Sequence, residues 1–197
     1  MYNLFEGQHV RLRALEPSDA DTLFQHRRDN EIMRRDSRIS WPRSLADIRR
    51  SLEGAEENKR DDKDLVIETR DGQLVGGLDV QLTDPTNGTF SIGIGLSDRS
   101  AWGKGYAKEA MLLVLRYMFH ERRYQKCNIG VYAFNDRAIG LYRRLGFQDE
   151  GRIRRNYFSA GSYHDEMLLG MTREEFEAHY PEWCVAIEGT EHTVTLP

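Results

Sequence analysis

The stretch "SAWGKGYAKEA", Ser100 to Ala110, sets two glycines around a lysine directly before a run of helix formers. A helix N-terminus leaves its first backbone N–H groups without partners and carries partial positive charge. Omitting the side chains at Gly103 and Gly105 lets an anion reach those N–H groups. A β-type run, Phe90–Leu96, stands in front of the turn, and a long helical pattern follows it. Strand, glycine turn and helix start thus form a candidate phosphate cradle. A purely structural turn would use the same two glycines, and spacing alone leaves the two readings level.

Two other cradles are excluded by these residues. A P-loop requires G-x-x-x-x-G-K-[ST], which Gly103 to Lys108 do not supply. The dinucleotide fingerprint G-x-G-x-x-G fails at Lys108, and for Gly93–Gly95 it fails at Asp98.

Outward from the cradle, the hydrophobic period assigns the elements. Ala107, Ala110, Met111, Val114, Leu115 and Met118 recur at helical spacing, predicting a helix from Lys104 to about His120. In "QKCNIGVYA", Cys127, Ile129, Val131 and Ala133 share one face of a strand. "NDRAIGLYRRLGF" reads as a second helix, with Asn135 as N-cap, Ala138, Leu141, Tyr142 and Leu145 as its buried stripe, and Gly146 as a left-handed stop. Upstream, "DLVIET", "QLVGGLDVQL" and "GTFSIGIGL" form a meander joined by turn signals.

At the start of the chain, Val10, Leu12 and Ala14 alternate as a strand, and Ser18 is placed to cap a helix burying Ala20, Leu23 and Phe24. A short helix is expected from Ser44. Late strands, about Gly151–Phe158 and Ser162–Met171, flank a turn at Ala160-Gly161. A last helix opens at Thr172 with Glu175 at capping-box spacing. The order implies a mixed sheet, α/β or α+β, in a single domain over residues 1–184, with a loosely held tail over 185–197.

Composition narrows the function classes. The 197 residues are 39% hydrophobic and 10% aromatic, enough for a real core, and the formal charge of −4 argues against a nucleic-acid-coating protein. Cys127 and Cys184 are far apart, which gives neither a disulfide framework nor a zinc ligand set. The first residues lack a signal-peptide core and no apolar run approaches membrane-spanning length, so a soluble cytoplasmic protein without a membrane partner is expected.

These residues resemble the GNAT (Gcn5-related) N-acetyltransferases. The family's acetyl-CoA motif, [Q/R]-x-x-G-x-[G/A], matches at Gly105 and Ala107, with Trp102 replacing the leading polar residue. Its N-x-x-[A/S]-x-x-L-Y-x-x-x-G-F motif is present in full through Asn135, Ala138, Leu141, Tyr142, Gly146 and Phe147. Glu150, Gly151, Gly161, Tyr163 and Asp165 resemble the branch that includes ribosomal-protein and spermidine/spermine acetyltransferases. The resemblance spans about residues 8–176, and Trp102 is familiar from that branch.

The resemblance implies a mostly antiparallel sheet of six to seven strands flanked by about four to five helices. It implies transfer of an acetyl group from acetyl-CoA, with no metal, to a primary amine in a ternary complex. By carry-over, Tyr142 is the general acid and the Leu96 N–H polarises the acetyl carbonyl. Trp102, Gly103, Lys104, Gly105, Tyr106 and Ala107 form the pyrophosphate cradle, and Asn135 meets the pantetheine besides capping its helix. Arg99, Arg143 and Arg144 are cationic neighbours without an assigned phosphate. No base is assigned: "FSIGIGL" carries no carboxylate, and Asp79, His164 and Asp165 qualify by type only.

Residues 27–60 carry ten Lys/Arg against seven Asp/Glu, a balance of +3. Arg27, Arg28, Arg34, Arg35, Arg38 and Arg43 therefore favour an acceptor that is neutral or acidic around its amine, such as a peptide N-terminus or an amino-acid-like metabolite. A solvated helix face gives the same pattern. Alternatives are a polyamine or aminoglycoside acetyltransferase and a catalytically silent acyl-CoA-binding regulatory domain. Homodimerisation is a habit of the family.

Overall fold

The computed structural model describes residues 3–36, 41–53 and 63–184. Arg38 and the tail expected after Cys184 lie outside them. Seven strands form one sheet: β1 (Val10–Ala14), β2 (Lys63–Thr69), β3 (Leu74–Asp84), β4 (Thr89–Leu96), β5 (Lys126–Tyr132), β6 (Gln148–Ser159) and β7 (Ser162–Thr172), in the order β1-β2-β3-β4-β5-β7-β6. Every neighbouring pair is antiparallel except β4 and β5, which run parallel.

Six α-helices accompany the sheet among the described residues: α1 (Ala20–His26), α2 (Asn30–Asp36), α3 (Leu45–Glu53), α4 (Tyr106–Arg116), α5 (Asp136–Leu145) and α6 (Arg173–His179). The sequence led to four or five. The additional one is α2, where Ile32 is the buried residue within a charge-dense segment, too little to make a periodic stripe. Ser18 does not cap α1. It is exposed in a 3-10 turn, Pro17–Asp19, where the Asp19 carboxylate accepts from the Glu16 N–H at 2.9 Å and binds Arg13.

Strand alternation and register sort the sheet into two faces. Leu12, Ile67, Leu78, Val80, Phe90, Ile92, Cys127, Ile129 and Val131 lie on one face and are all buried. Helix α4 packs on this side, against β1 and β4. Its first turn is fixed there by the Glu109 carboxylate, which accepts from the N–H groups of Gln8, His9 and Val10 at 2.5, 2.9 and 2.9 Å.

The predicted one-sided stripe of α4 is replaced by burial all round from Ala110 to Arg116. Residues remote in sequence cover its outer side: the Arg116 guanidinium donates to the Leu4 carbonyl at 2.9 Å and lies over the Trp183 ring. The helix runs on as a π-helical turn, Tyr117–Glu121, where Phe119 packs between Phe90 and Phe176.

The opposite face bears Arg11, Arg13 and Glu68 on β1 and β2, then Asp79, Gly93, Gly95, Asn128, Gly130 and Glu166 across the centre. Burial would raise the Glu68 carboxyl, but hydrogen bonds from Arg11 and Arg13 outweigh it and hold the group below its usual range. The late expectations hold: Thr172 and Glu175 form the capping box, and Gly146 ends α5 at φ +99.

Candidate active site

Strands β4 and β5 pair only at Thr89–Lys126, Phe90–Cys127 and Ser91–Asn128. Beyond these, Ile92–Leu96 pair with β3 alone and Ile129–Tyr132 with β7 alone, so a gap opens between two parallel strands. Because the strands are parallel, the segments that leave them emerge at the same end of the sheet. One carries the glycine turn and the start of α4; the other carries Asn135 and the start of α5. Two positive helix ends therefore flank the mouth of one gap, a favourable place for an anion.

The cradle is open. Gly103 and Gly105 are exposed at φ +78 and +84, and no atom lies within 4 Å of where a Cβ would stand on either. Backbone conformation demands glycine here; packing does not. The first bond inside α4 runs from the Glu109 N–H to the Gly105 carbonyl at 3.0 Å, which leaves the N–H groups of Tyr106, Ala107 and Lys108 without intrahelical acceptors. Lys104 is exposed, with its ammonium 6.0 Å from the Tyr106 ring centroid. These groups suit a pyrophosphate.

Trp102 anchors the turn. Its indole N–H donates to the Leu96 carbonyl at 3.0 Å, tying the loop to the last residue of β4. The Ser97 N–H bonds back to Val75, so by strand alternation the Leu96 N–H is directed away from β3, toward the gap. Asn135 uses both ends of its amide: Oδ1 accepts from the Ala138 N–H at 3.3 Å and Nδ2 donates to the Arg35 carbonyl at 3.0 Å. Tyr142 is buried in the core, tilted against Phe147 at 5.9 Å. The stripe around it is Ile139, Tyr142 and Leu145, while Ala138 and Leu141 are only partly covered.

Arg99 is engaged elsewhere. Its guanidinium forks onto Asp29 at 2.6 and 2.9 Å and reaches Glu31 at 2.9 Å, joining the approach to the cradle to α2. Arg143 is likewise paired with Asp149. The hydrogen bond from Arg99 takes the Asp29 carboxyl down to about 2. A carboxyl lowered by folding contributes stability above its unfolded value and loses it as pH falls through the folded one. The stability difference between wild type and Asp29→Asn is therefore expected to shrink between about pH 4 and pH 2, as read by thermal unfolding across that range.

The three base candidates separate. His164 is bonded to Ser162 and the Ser159 carbonyl, and Asp165 to Arg152 and the Arg155 N–H, both in the β6–β7 hairpin. Asp79 is half-buried on β3 directly opposite Gly93. A Cβ on Gly93 would collide with its Oδ1, so the missing side chain is what lets this carboxylate lie across β4. Glu166 crosses Gly130 on β5 in the same manner and accepts from the Tyr157 hydroxyl at 2.8 Å. Neither juxtaposition is visible without the register. The one sequence signal was a glycine-rich strand.

Comparison with known proteins gives the family. The profile of the acetyltransferase (GNAT) domain matches residues 9–148. YokL, an SPbeta prophage-derived uncharacterized N-acetyltransferase of Bacillus subtilis (strain 168), is 38% identical over 177 residues, covering 88% of this chain and 96% of its own. The spermidine N(1)-acetyltransferase of Escherichia coli (strain K12) is 31% identical over 78 residues, 40% of this chain and 42% of its own. A spermidine N-acetyltransferase from Vibrio cholerae, solved in complex with CoA and spermine, shares the fold: TM-score 0.74, 21% identity, 86% of this chain and 99% of that one.

The chain belongs to the GNAT acetyltransferase family. It is an acetyl-CoA-dependent N-acetyltransferase.

Proposed function

We propose that this cytoplasmic enzyme acetylates a primary amine by direct attack within the gap between β4 and β5. The divergence of the two strands below paired helix N-termini is the observation that carries the reading. Backbone N–H groups from Gly103 to Ala107 hold the pyrophosphate. The Leu96 N–H donates to the acetyl carbonyl as negative charge builds on its oxygen. Asn135 positions the pantetheine beside its cap.

Asp79 is the base of this reading, because it stands on the strand bordering β4 at the opening of the gap. Its carboxylate takes one proton from the acceptor ammonium. The freed nitrogen lone pair forms the C–N bond, the C–S bond breaks with its electron pair on sulfur, and the Tyr142 hydroxyl protonates that sulfur. The second nitrogen proton goes to the Tyr142 phenolate and Asp79 releases its proton to solvent, so both groups are restored and one proton leaves overall. Asp79→Asn is expected to lower kcat/KM at neutral pH by about 100-fold with KM for acetyl-CoA little changed. A kcat/KM within threefold of wild type assigns the proton to another group.

The acceptor in this reading is a peptide N-terminus or a small amine metabolite. One observation favours a second reading, a polyamine: Asp79 and Glu166 lie on the same face, and arginines of the first helices are already paired, including Arg35 with Glu31 and Arg49 with Asp21. A thiol-release panel with peptides and spermidine decides between them. A higher kcat/KM for spermidine overturns the first reading. Homodimerisation is proposed on family habit alone and is checked by sedimentation.

A further inference from the structure

We infer that Arg137 binds a phosphate of acetyl-CoA, replacing from α5 the polar group that Trp102 removes from the cradle; this rests on the cofactor site proposed above. The guanidinium carbon of Arg137 lies 3.8 Å from the centroid of the Trp102 ring. Arg137 is the second residue of α5, and Trp102 lies three residues before the end of the glycine turn, so the contact spans the mouth of the gap. A planar cation stacked on an indole is held in one orientation while its N–H edge stays free for an anion.

Among the described residues no hydrogen bond or ion pair competes for that edge. Arg137 is exposed, and among the described residues no carboxylate forms an ion pair with it. Arg99 and Arg143 behave differently, each being forked onto an aspartate. The indole N–H of Trp102 is committed to Leu96, so Trp102 serves as a platform and leaves no donor for the ligand. Both helix N-termini and the stacked guanidinium therefore converge on one place of positive potential, which phosphate oxygens match in charge and in bidentate geometry.

The test compares wild type, Arg137→Ala and Arg137→Lys by thiol release, with acetyl-CoA and with S-acetylpantetheine, which carries no phosphate. For Arg137→Ala, KM for acetyl-CoA is expected to rise about 10- to 100-fold with kcat little changed, and Lys to recover part of the loss. The difference between wild type and variant should vanish with S-acetylpantetheine and narrow at high salt. An unchanged KM for acetyl-CoA, or an equal loss on both donors, overturns the assignment. Failure of wild type to use acetyl-CoA would sink the cofactor site itself.

Discussion

Tyr142→Phe is expected to reduce kcat by about 100- to 1,000-fold while leaving KM for acetyl-CoA nearly unchanged. In the proposed reaction the departing thiolate needs a proton, and the Tyr142 hydroxyl is the group proposed to supply it. Tyr142 is also part of the hydrophobic core, between Ile139 and Leu145 on the inner side of α5. The phenylalanine variant separates the two roles. It keeps the ring against Phe147 and removes only the hydroxyl, so the packing of α5 should be retained, as a melting curve checks. A kcat within threefold of wild type, measured by single-turnover thiol release, would leave Tyr142 a packing residue alone.

The second large effect is on binding. Gly105→Glu is expected to weaken acetyl-CoA by more than about 100-fold, from three contributions of the same sign. The backbone at φ +84 is one that side chains with a Cβ rarely adopt, which costs about 1 kcal/mol and shifts the neighbouring N–H groups. The new side chain enters the open space where the pyrophosphate is to lie. Its charge repels the phosphates at the positive end of α4. Because no protein atom occupies that space, the fold should survive, and circular dichroism with a melting curve checks this. Calorimetric titration reading undiminished affinity in a folded variant would place the cofactor elsewhere.

What the sequence disclosed and what it hid follow a physical division. Gly103, Gly105, Asn135 and Gly146 were legible because each answers a local backbone demand: a positive φ or an orphan N–H at a helix end. The buried sides of β5 were legible for the same reason, since strand alternation is local. Helix α2 was hidden because its role is electrostatic, with Asp29 at its entry and Glu31 in its first turn holding Arg99.

The full burial of α4 was hidden because residues remote in sequence cover it. Asp79 over Gly93 and Arg137 over Trp102 depend on sheet register and on the meeting of two loops, which no single window of sequence contains. The glycine turn and the two helix starts were therefore readable from their own residues, whereas the juxtapositions around them were not.

The most direct measurement is a crystal structure of the protein grown with acetyl-CoA. The prediction is pyrophosphate density on the backbone N–H groups of Gly103 to Ala107, with the pantetheine arm passing between Leu96 and β5. The acetyl carbonyl should then lie within hydrogen-bonding distance of the Leu96 N–H. Density for the cofactor on any other surface, with β4 and β5 still parted and nothing between them, would contradict the site.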